Sequence, residues 1–459
     1  MELKEQLIAL YNRNSQTIVE GESDKVKALR SQAYAAFSQR GITFDNREAW
    51  QNFHFFDNLT TTYTLSEHQA ISIFPALMDF ECEVPDLKAA RFPFLNGWYA
   101  DNTQRLTTLD NGVILGSLIA AKRECPELIE QCLGTLSNNE YDGLTIANTL
   151  LHQDGMFVYV PVNVEVERPL QILNLIKTNS SLVINPRNLI VLGENARLTI
   201  LHCDDTLQHS NTLINAVTEV FQGKGSAFDY YKMENKEPES ILISSLFVKQ
   251  EQGSVLNTNS ITFNAGKTRN NLNIQLNGKH CEADINGLYL VDRKQNIDNY
   301  VYVNHAAPDC HSRQLYKGII DDEARAVFSG QINVAQDSQR TEAYQVNRNI
   351  ALTNSARVIT KPFLEIYADD VKCSHGATVG QLDKEAMFYL RTRGIGEKSA
   401  KMLLMHAFAA EVTSKIKIES LRNRVSEMAQ LRLNGELHAC EDCRFCCNSS
   451  NMAKCPSCN

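Results

Sequence analysis

Residues 189–203 read LIVLGENARLTILHC, two apolar runs joined by a turn that contains Gly193 and Asn195. Aliphatic, partly β-branched side chains favour short buried strands, and Gly and Asn favour a tight turn between them. Short β-rich runs separated by turns rich in Asn, Gly and Asp continue from Met156 to about His375, with no long helical pattern between them. Such strands suit a sandwich, a barrel or a β-helix. Asn in tight turns favours the β-helix, but no strict repeat length is present, so the pattern leaves all three open.

Helical patterns lie on both sides of this region. Before it, two amphipathic helices are expected over residues 1–40, the second capped by Ser23 and stopped by Gly41. Asn96 and Gly97 predict a hairpin turn. After it, Asp383 is placed to cap a first helix, and further helices should continue to about Gly435.

These changes in pattern divide the chain into four predicted segments. They are a mainly helical N-terminal domain (1–154), a β core (155–380), a C-terminal helical domain (381–437) and a Cys-rich tail (438–459).

Composition narrows the classes of function. The chain has 459 residues, 43% of them hydrophobic and 22% charged, which is typical of a folded globular protein. With 45 Lys and Arg against 54 Asp and Glu, and no basic run, nucleic acid is not an expected partner. The sequence has neither a signal peptide nor an apolar stretch of about 18 residues, so we expect a cytoplasmic protein without membrane association.

Common catalytic motifs are absent. Gly266-Lys267-Thr268 resembles the end of a phosphate loop, but the position five residues before Gly266 is Ile261 instead of glycine. Neither G-x-G-x-x-G nor G-x-S-x-G occurs. A polysaccharide-active β-helix enzyme is an alternative, although such enzymes usually carry the secretory signal that is missing here.

The segment from Lys361 to Asp383 ends the β region and contains Cys373 and His375. Two residues apart, their side chains share one face of an extended strand. A thiolate and an imidazole are both ligands for iron or zinc. A Cys-x-His pair alone is more often explained by structural burial.

Residues 361–396 closely resemble the signature of the SufB/SufD family, the scaffold subunits of the SUF iron–sulfur cluster assembly machinery. The resemblance extends upstream to residues 157–161 and 167–172. It implies a mainly β fold, with a right-handed parallel β-helix core flanked by helical N- and C-terminal domains. It also implies a non-catalytic scaffold that pairs with a SufB-like paralogue. The C-terminal helical domain would dock a SufC-like ABC ATPase, which would hydrolyse the ATP.

One sequence position distinguishes SufB-like from SufD-like chains. SufB-like chains carry His-Glu-Ala-Thr where this chain has His375-Gly376-Ala377-Thr378, which places it on the SufD side. The resemblance implies that His375 binds a transient iron–sulfur cluster at the SufB-like interface, with Cys373 as the neighbouring candidate ligand. Imidazole ligates iron in Rieske centres, where it adds no negative charge.

The tail departs from the family pattern. Its cysteines form two C-x-x-C hooks separated by eleven residues, with two further thiols between them: Cys440, Cys443, Cys455 and Cys458, with Cys446 and Cys447 as additional candidates. Four thiolates suit zinc or an iron–sulfur cluster, and an unligated tail is the third alternative. A metal-binding interaction protein that uses this tail is therefore an alternative function.

Overall fold

The computed structural model describes residues 2–42, 50–57, 59–68, 84, 87–100, 106–137, 142–206, 211–235 and 239–434. The predictions for the Cys-rich tail lie outside these ranges. The helices in them are α1 (Leu3–Ile18), α2 (Asp24–Arg40), α3 (Leu118–Glu124), α4 (Pro126–Cys132), α5 (Gly143–Leu151), α6 (Lys384–Thr392), α7 (Glu397–Thr413) and α8 (Glu419–Asn434).

Strands account for most of the chain between these helices. They are β1 (Thr64–Leu65), β2 (Ala90–Leu95), β3 (Trp98–Tyr99), β4 (Leu106–Thr108), β5 (Ile114–Ser117), β6 (Met156–Val160), β7 (Leu170–Ile176), β8 (Leu182–Ile184), β9 (Arg187–Leu192), β10 (Arg197–Thr206), β11 (Leu213–Gln222), β12 (Ala227–Asn235), β13 (Ile241–Gln250), β14 (Val255–Asn264), β15 (Lys267–Leu276), β16 (Glu282–Val291), β17 (Asn296–His305), β18 (His311–Ile320), β19 (Arg325–Val334), β20 (Thr341–Ala351), β21 (Arg357–Ile366) and β22 (Val371–Gly380).

The strands from β9 onward alternate between two sheets. Odd-numbered strands follow one another in a 12-stranded sheet, even-numbered strands follow one another in a 10-stranded sheet, and neighbours from β9 onward are parallel. Each odd–even pair is one rung, and the rungs stack into a solenoid of about 7 turns. The expected parallel β-helix between helical ends is therefore confirmed.

The rungs differ in length, which explains the missing sequence repeat. In the 12-stranded sheet Ile241 pairs with Lys267, 26 positions later, whereas Arg325 pairs with Arg357, 32 positions later. The strands stay paired in register, and the turns between them differ in length. A fixed period is therefore absent from the sequence although the stacking is regular.

One corner of the solenoid repeats a left-handed backbone position from rung to rung. The residues in this column have φ between 56° and 69°: Asn163, Asn195, Gly225, Gly253, His280, Asp309 and Arg340. Asn and Gly tolerate this conformation best, which is why the turns are rich in them. The Nδ2 of Asn195 donates to the Oδ1 of Asn163 at 2.8 Å, so side chains also link successive turns.

Helices cover the outer faces of both sheets. Leu144 and Leu150 of α5 pack with Leu213 and Ile241 on the 12-stranded sheet. On the 10-stranded sheet, α7 and α8 bury an apolar face against outward side chains of several strands: Leu201, Tyr231, Ile261, Leu288 and Ile319. A second apolar core fills the solenoid interior. Strands buried on both faces read as continuous apolar runs, as the sequence shows.

Two local predictions are confirmed, whereas Ser23 occupies the N-cap position of α2 but its side chain makes no capping hydrogen bond. β2 and β3 form the hairpin around Asn96 and Gly97. The Oδ1 of Asp383 accepts hydrogen bonds from the backbone N–H groups of Glu385 and Ala386, which caps α6. None of the helices in the described ranges is long and apolar enough to cross a membrane.

Candidate functional site

The two predicted ligands lie on β22, the last strand of the 10-stranded sheet. β22 is parallel to β20, with Cys373 opposite Ala343 and His375 opposite Gln345. Among the described strands, none pairs with the other edge of β22, and β21 ends its own sheet in the same way. The solenoid therefore ends in an open rung that contains both candidate ligands.

Cys373 and His375 differ in their surroundings. Cys373 is half-buried and packs beside Ile332, Ala343 and Ala368, and this burial raises the pKa of its thiol. The thiol is thus protonated at neutral pH and must lose its proton to bind a metal. His375 is exposed on the same strand. A Cβ atom placed on Gly376 would have no heavy atom within 4 Å, so the surface beside His375 is open.

Large apolar side chains are exposed on the last rung. They are Phe363, Ile366, Tyr367 and Val379, of which Tyr367 is 65% exposed. Earlier rungs are covered by the next rung, whereas no further rung in the described ranges stacks on this one, and it contacts the N-terminal region through the hydrogen bond from the Nζ of Lys361 to the Oε1 of Gln51 at 2.6 Å. An apolar patch next to unpaired strand edges is typical of a protein interface.

The described part of the chain supplies no complete metal site. No group of three or more His, Cys, Asp or Glu side chains in it is arranged to hold a metal ion. Cys373 and His375 can offer one sulfur and one nitrogen. Any iron bound here needs further ligands from a partner, from sulfide or from the tail.

A second surface lies on α6. None of its residues is buried, and Phe388 and Tyr389 are 71% and 57% exposed. The next helix is fixed firmly: the Nζ of Lys317 lies 2.8 Å from the Oε2 of Glu411 and donates to the carbonyl oxygen of Phe408 at 3.1 Å. α6 therefore presents two exposed aromatic rings next to a helix that is anchored to β18.

Three further histidines are structural. His152, His202 and His305 are buried, and each hydrogen-bonds to a neighbour. Burial and the charges of Arg30 and Lys122 lower the pKa of His152 well below its usual value. Burial also lowers the pKa of His305, to about 4, so the imidazoles of His152 and His305 are neutral members of the core at neutral pH.

The structure brings Cys281 and Cys310, which are 29 positions apart in the sequence, together on neighbouring rungs. Their spacing matches one turn of the solenoid. This spacing is a usable signal only once the register of the rungs is known.

Comparison with known proteins identifies the family. The SufBD protein N-terminal region matches residues 1–172, and the SufBD core domain of SUF system FeS cluster assembly matches residues 175–408. An iron–sulfur cluster assembly SufBD family protein of Synechocystis sp. is 29% identical over 446 residues, which is 91% of this chain and 97% of that protein. The iron–sulfur cluster assembly protein SufD of Escherichia coli is 35% identical over 249 residues, covering 54% of this chain and 59% of that one. The chain belongs to the SufB/SufD family of iron–sulfur cluster assembly proteins and is SufD-like within it.

Proposed function

We propose that the chain is a cytoplasmic, non-catalytic scaffold on which an iron–sulfur cluster is assembled, in a complex with a SufB-like paralogue and a SufC-like ABC ATPase. The observation that carries this proposal is the open last rung with Cys373 and His375 on its outermost strand. No disulfide joins the described cysteines, in keeping with a reducing compartment.

The last rung suits a second solenoid as its partner. Unpaired edges of β21 and β22 can accept strands from another chain, and the exposed apolar side chains around them would be buried in the contact. Such a partner would bring its own ligands to Cys373 and His375. A nascent cluster would then be held between two chains as cargo, and be released when the chains separate.

The ATPase is assigned to the C-terminal helices. The chain has no Walker A motif, so ATP hydrolysis must come from another subunit. The exposed aromatic rings of Phe388 and Tyr389 are suitable anchors for that subunit. Since α7 and α8 pack on the 10-stranded sheet, movement of a bound ATPase would be transmitted to the solenoid.

Co-purification of the three chains tests both assignments with matched variants. Tyr367→Glu with Val379→Glu should abolish binding of the paralogue and keep the ATPase. Phe388→Glu with Tyr389→Glu should abolish binding of the ATPase and keep the paralogue. All four side chains are exposed, so thermal unfolding of the isolated chain should be nearly unchanged. If folded variants keep both partners, or if each pair of substitutions loses the opposite partner, the assignments are wrong.

A further inference from the structure

Cys281 and Cys310 stack at one corner of the solenoid. Cys281 directly precedes β16 and Cys310 directly precedes β18, and Glu282 pairs in register with His311. Neighbouring strands lie about 4.8 Å apart, within the range of about 4.4–6.8 Å between the Cα atoms of disulfide-bonded cysteines. The register alone therefore places the two residues within reach of a covalent bond.

The sulfur atoms also point to the same place. The Sγ of Cys281 lies 3.1 Å from the carbonyl oxygen of Gly278, and the Sγ of Cys310 lies 3.2 Å from the same oxygen. Both thiols thus donate to one carbonyl oxygen, and the two sulfurs lie beside each other. In the described ranges no third His, Cys, Asp or Glu joins them to form a metal site. Two adjacent sulfurs without further ligands suit two-electron redox chemistry better than metal binding.

The thiols of Cys281 and Cys310 lie beneath a turn at the protein surface. Both cysteines are fully buried, yet the turn whose Gly278 carbonyl contacts them is at the surface, with Asn277, Lys279 and His280 exposed. Neighbouring turns complete the cover, because the carbonyl oxygen of Glu251 lies 3.2 Å from the Sγ of Cys281 and that of Pro308 lies 3.5 Å from the Sγ of Cys310. We propose that Cys281 and Cys310 form a redox site that hydrogen peroxide closes to a disulfide between two neighbouring rungs.

The reaction proceeds in two balanced steps. One thiolate attacks the peroxide, so that an S–O bond forms, the O–O bond breaks, and a water molecule leaves after protonation. The second sulfur then attacks the resulting sulfenic acid, so that the S–S bond forms, the S–O bond breaks, and a second water molecule leaves. Two thiols lose two electrons to the peroxide, and a small thiol reductant reverses the change. This inference does not depend on the proposed partners.

Peptide mass spectrometry of the full-length chain tests the site. Reduced protein is treated with hydrogen peroxide, alkylated under denaturing conditions and digested. We expect a linked peptide pair containing Cys281 and Cys310, about 2 Da lighter than the sum of the reduced peptides and separated by dithiothreitol. Oxidised protein should also unfold at a higher temperature than reduced protein, because the bond closes a loop in the unfolded chain.

Single substitutions test whether the disulfide is specific to Cys281 and Cys310. Cys281→Ser and Cys310→Ser should each abolish the linked pair, while Cys125→Ser, at a half-buried thiol elsewhere, should leave its yield unchanged. The proposal is overturned if wild-type Cys281 and Cys310 stay fully alkylated at peroxide levels that oxidise Cys125 and Cys373. Linkage of either residue only to other cysteines would also overturn it.

Discussion

Cys373 and His375 offer two chemically different donors from one strand. The half-buried thiol needs to lose its proton, and its raised pKa opposes that until iron is present. The exposed imidazole is open to a partner, and the absence of a side chain on Gly376 leaves space beside it. We infer that His375 makes the first contact with the cluster and that Cys373 follows.

His375→Ala should therefore impair cluster assembly in the complex and leave the fold intact. The side chain is exposed, so the free energy of unfolding should change by less than about 0.5 kcal/mol. Ser374→Ala, at the adjacent exposed position of the same strand, is the matched control. Cluster formation is followed by visible absorbance during anaerobic reconstitution. Wild-type reconstitution by the His375 variant would assign this residue a structural role.

Burial of His305 makes the solenoid sensitive to acid. Burial lowers the pKa of His305 to about 4, whereas an unfolded histidine has a pKa of about 6.5. Between these values the unfolded chain binds a proton that the folded chain does not. Stability is therefore lost as the pH falls from 6.5 to 4, by about 3 kcal/mol for this residue.

Urea unfolding between pH 7 and pH 4 measures this loss. His305→Gln keeps a polar side chain near Ser312 and removes the titration, so its stability should fall less steeply with acid than that of the wild type. The buried His152 should still contribute a loss in the same direction. Equal slopes for the two proteins would show that His305 is not neutral in the folded chain.

Elements controlled by local chemistry could be predicted from the sequence. The Asp383 cap, the Asn96–Gly97 hairpin and the two first helices depend on residues within a few positions of each other. The rungs depend on pairing between residues 26 to 32 positions apart, with turns of changing length. The sequence pattern therefore indicated strands but not their stacking. The meeting of Cys281 and Cys310 was hidden for the same reason.

The Cys-rich tail follows α8, and we predict that it binds metal independently of the solenoid. A full-length chain and a chain ending at Gly435 are compared by elemental analysis, and the metal should be lost with the tail. Because thiolate ligands must lose protons, metal affinity should fall steeply at acidic pH. Cys440→Ser with Cys458→Ser is the full-length control and should lose the same metal. Equal metal content in all three proteins would favour an unligated tail.

In the part of the chain that the structure describes, helices cover the outer faces of both sheets, and the last rung has no further rung stacked on it. N-terminal helices shield the 12-stranded sheet, and C-terminal helices shield the 10-stranded sheet. The resemblance identified the family and the general architecture from residues 361–396. It could not show that the predicted ligands stand on an uncovered edge, because exposure depends on where the stacking stops. That edge is the feature on which the proposed partnership depends.

At the opposite end of the solenoid, the two sheets end in short strands. There the sheets finish with β3 and β4, strands of two and three residues in antiparallel pairs. A stack of parallel strands with two open ends would add further copies without limit and grow into a fibre. Because one end of each solenoid has only these short strands, two solenoids that meet at their last rungs would leave no long strand edge exposed. In the proposed complex, the short strands at the first rung would therefore limit assembly to a closed pair.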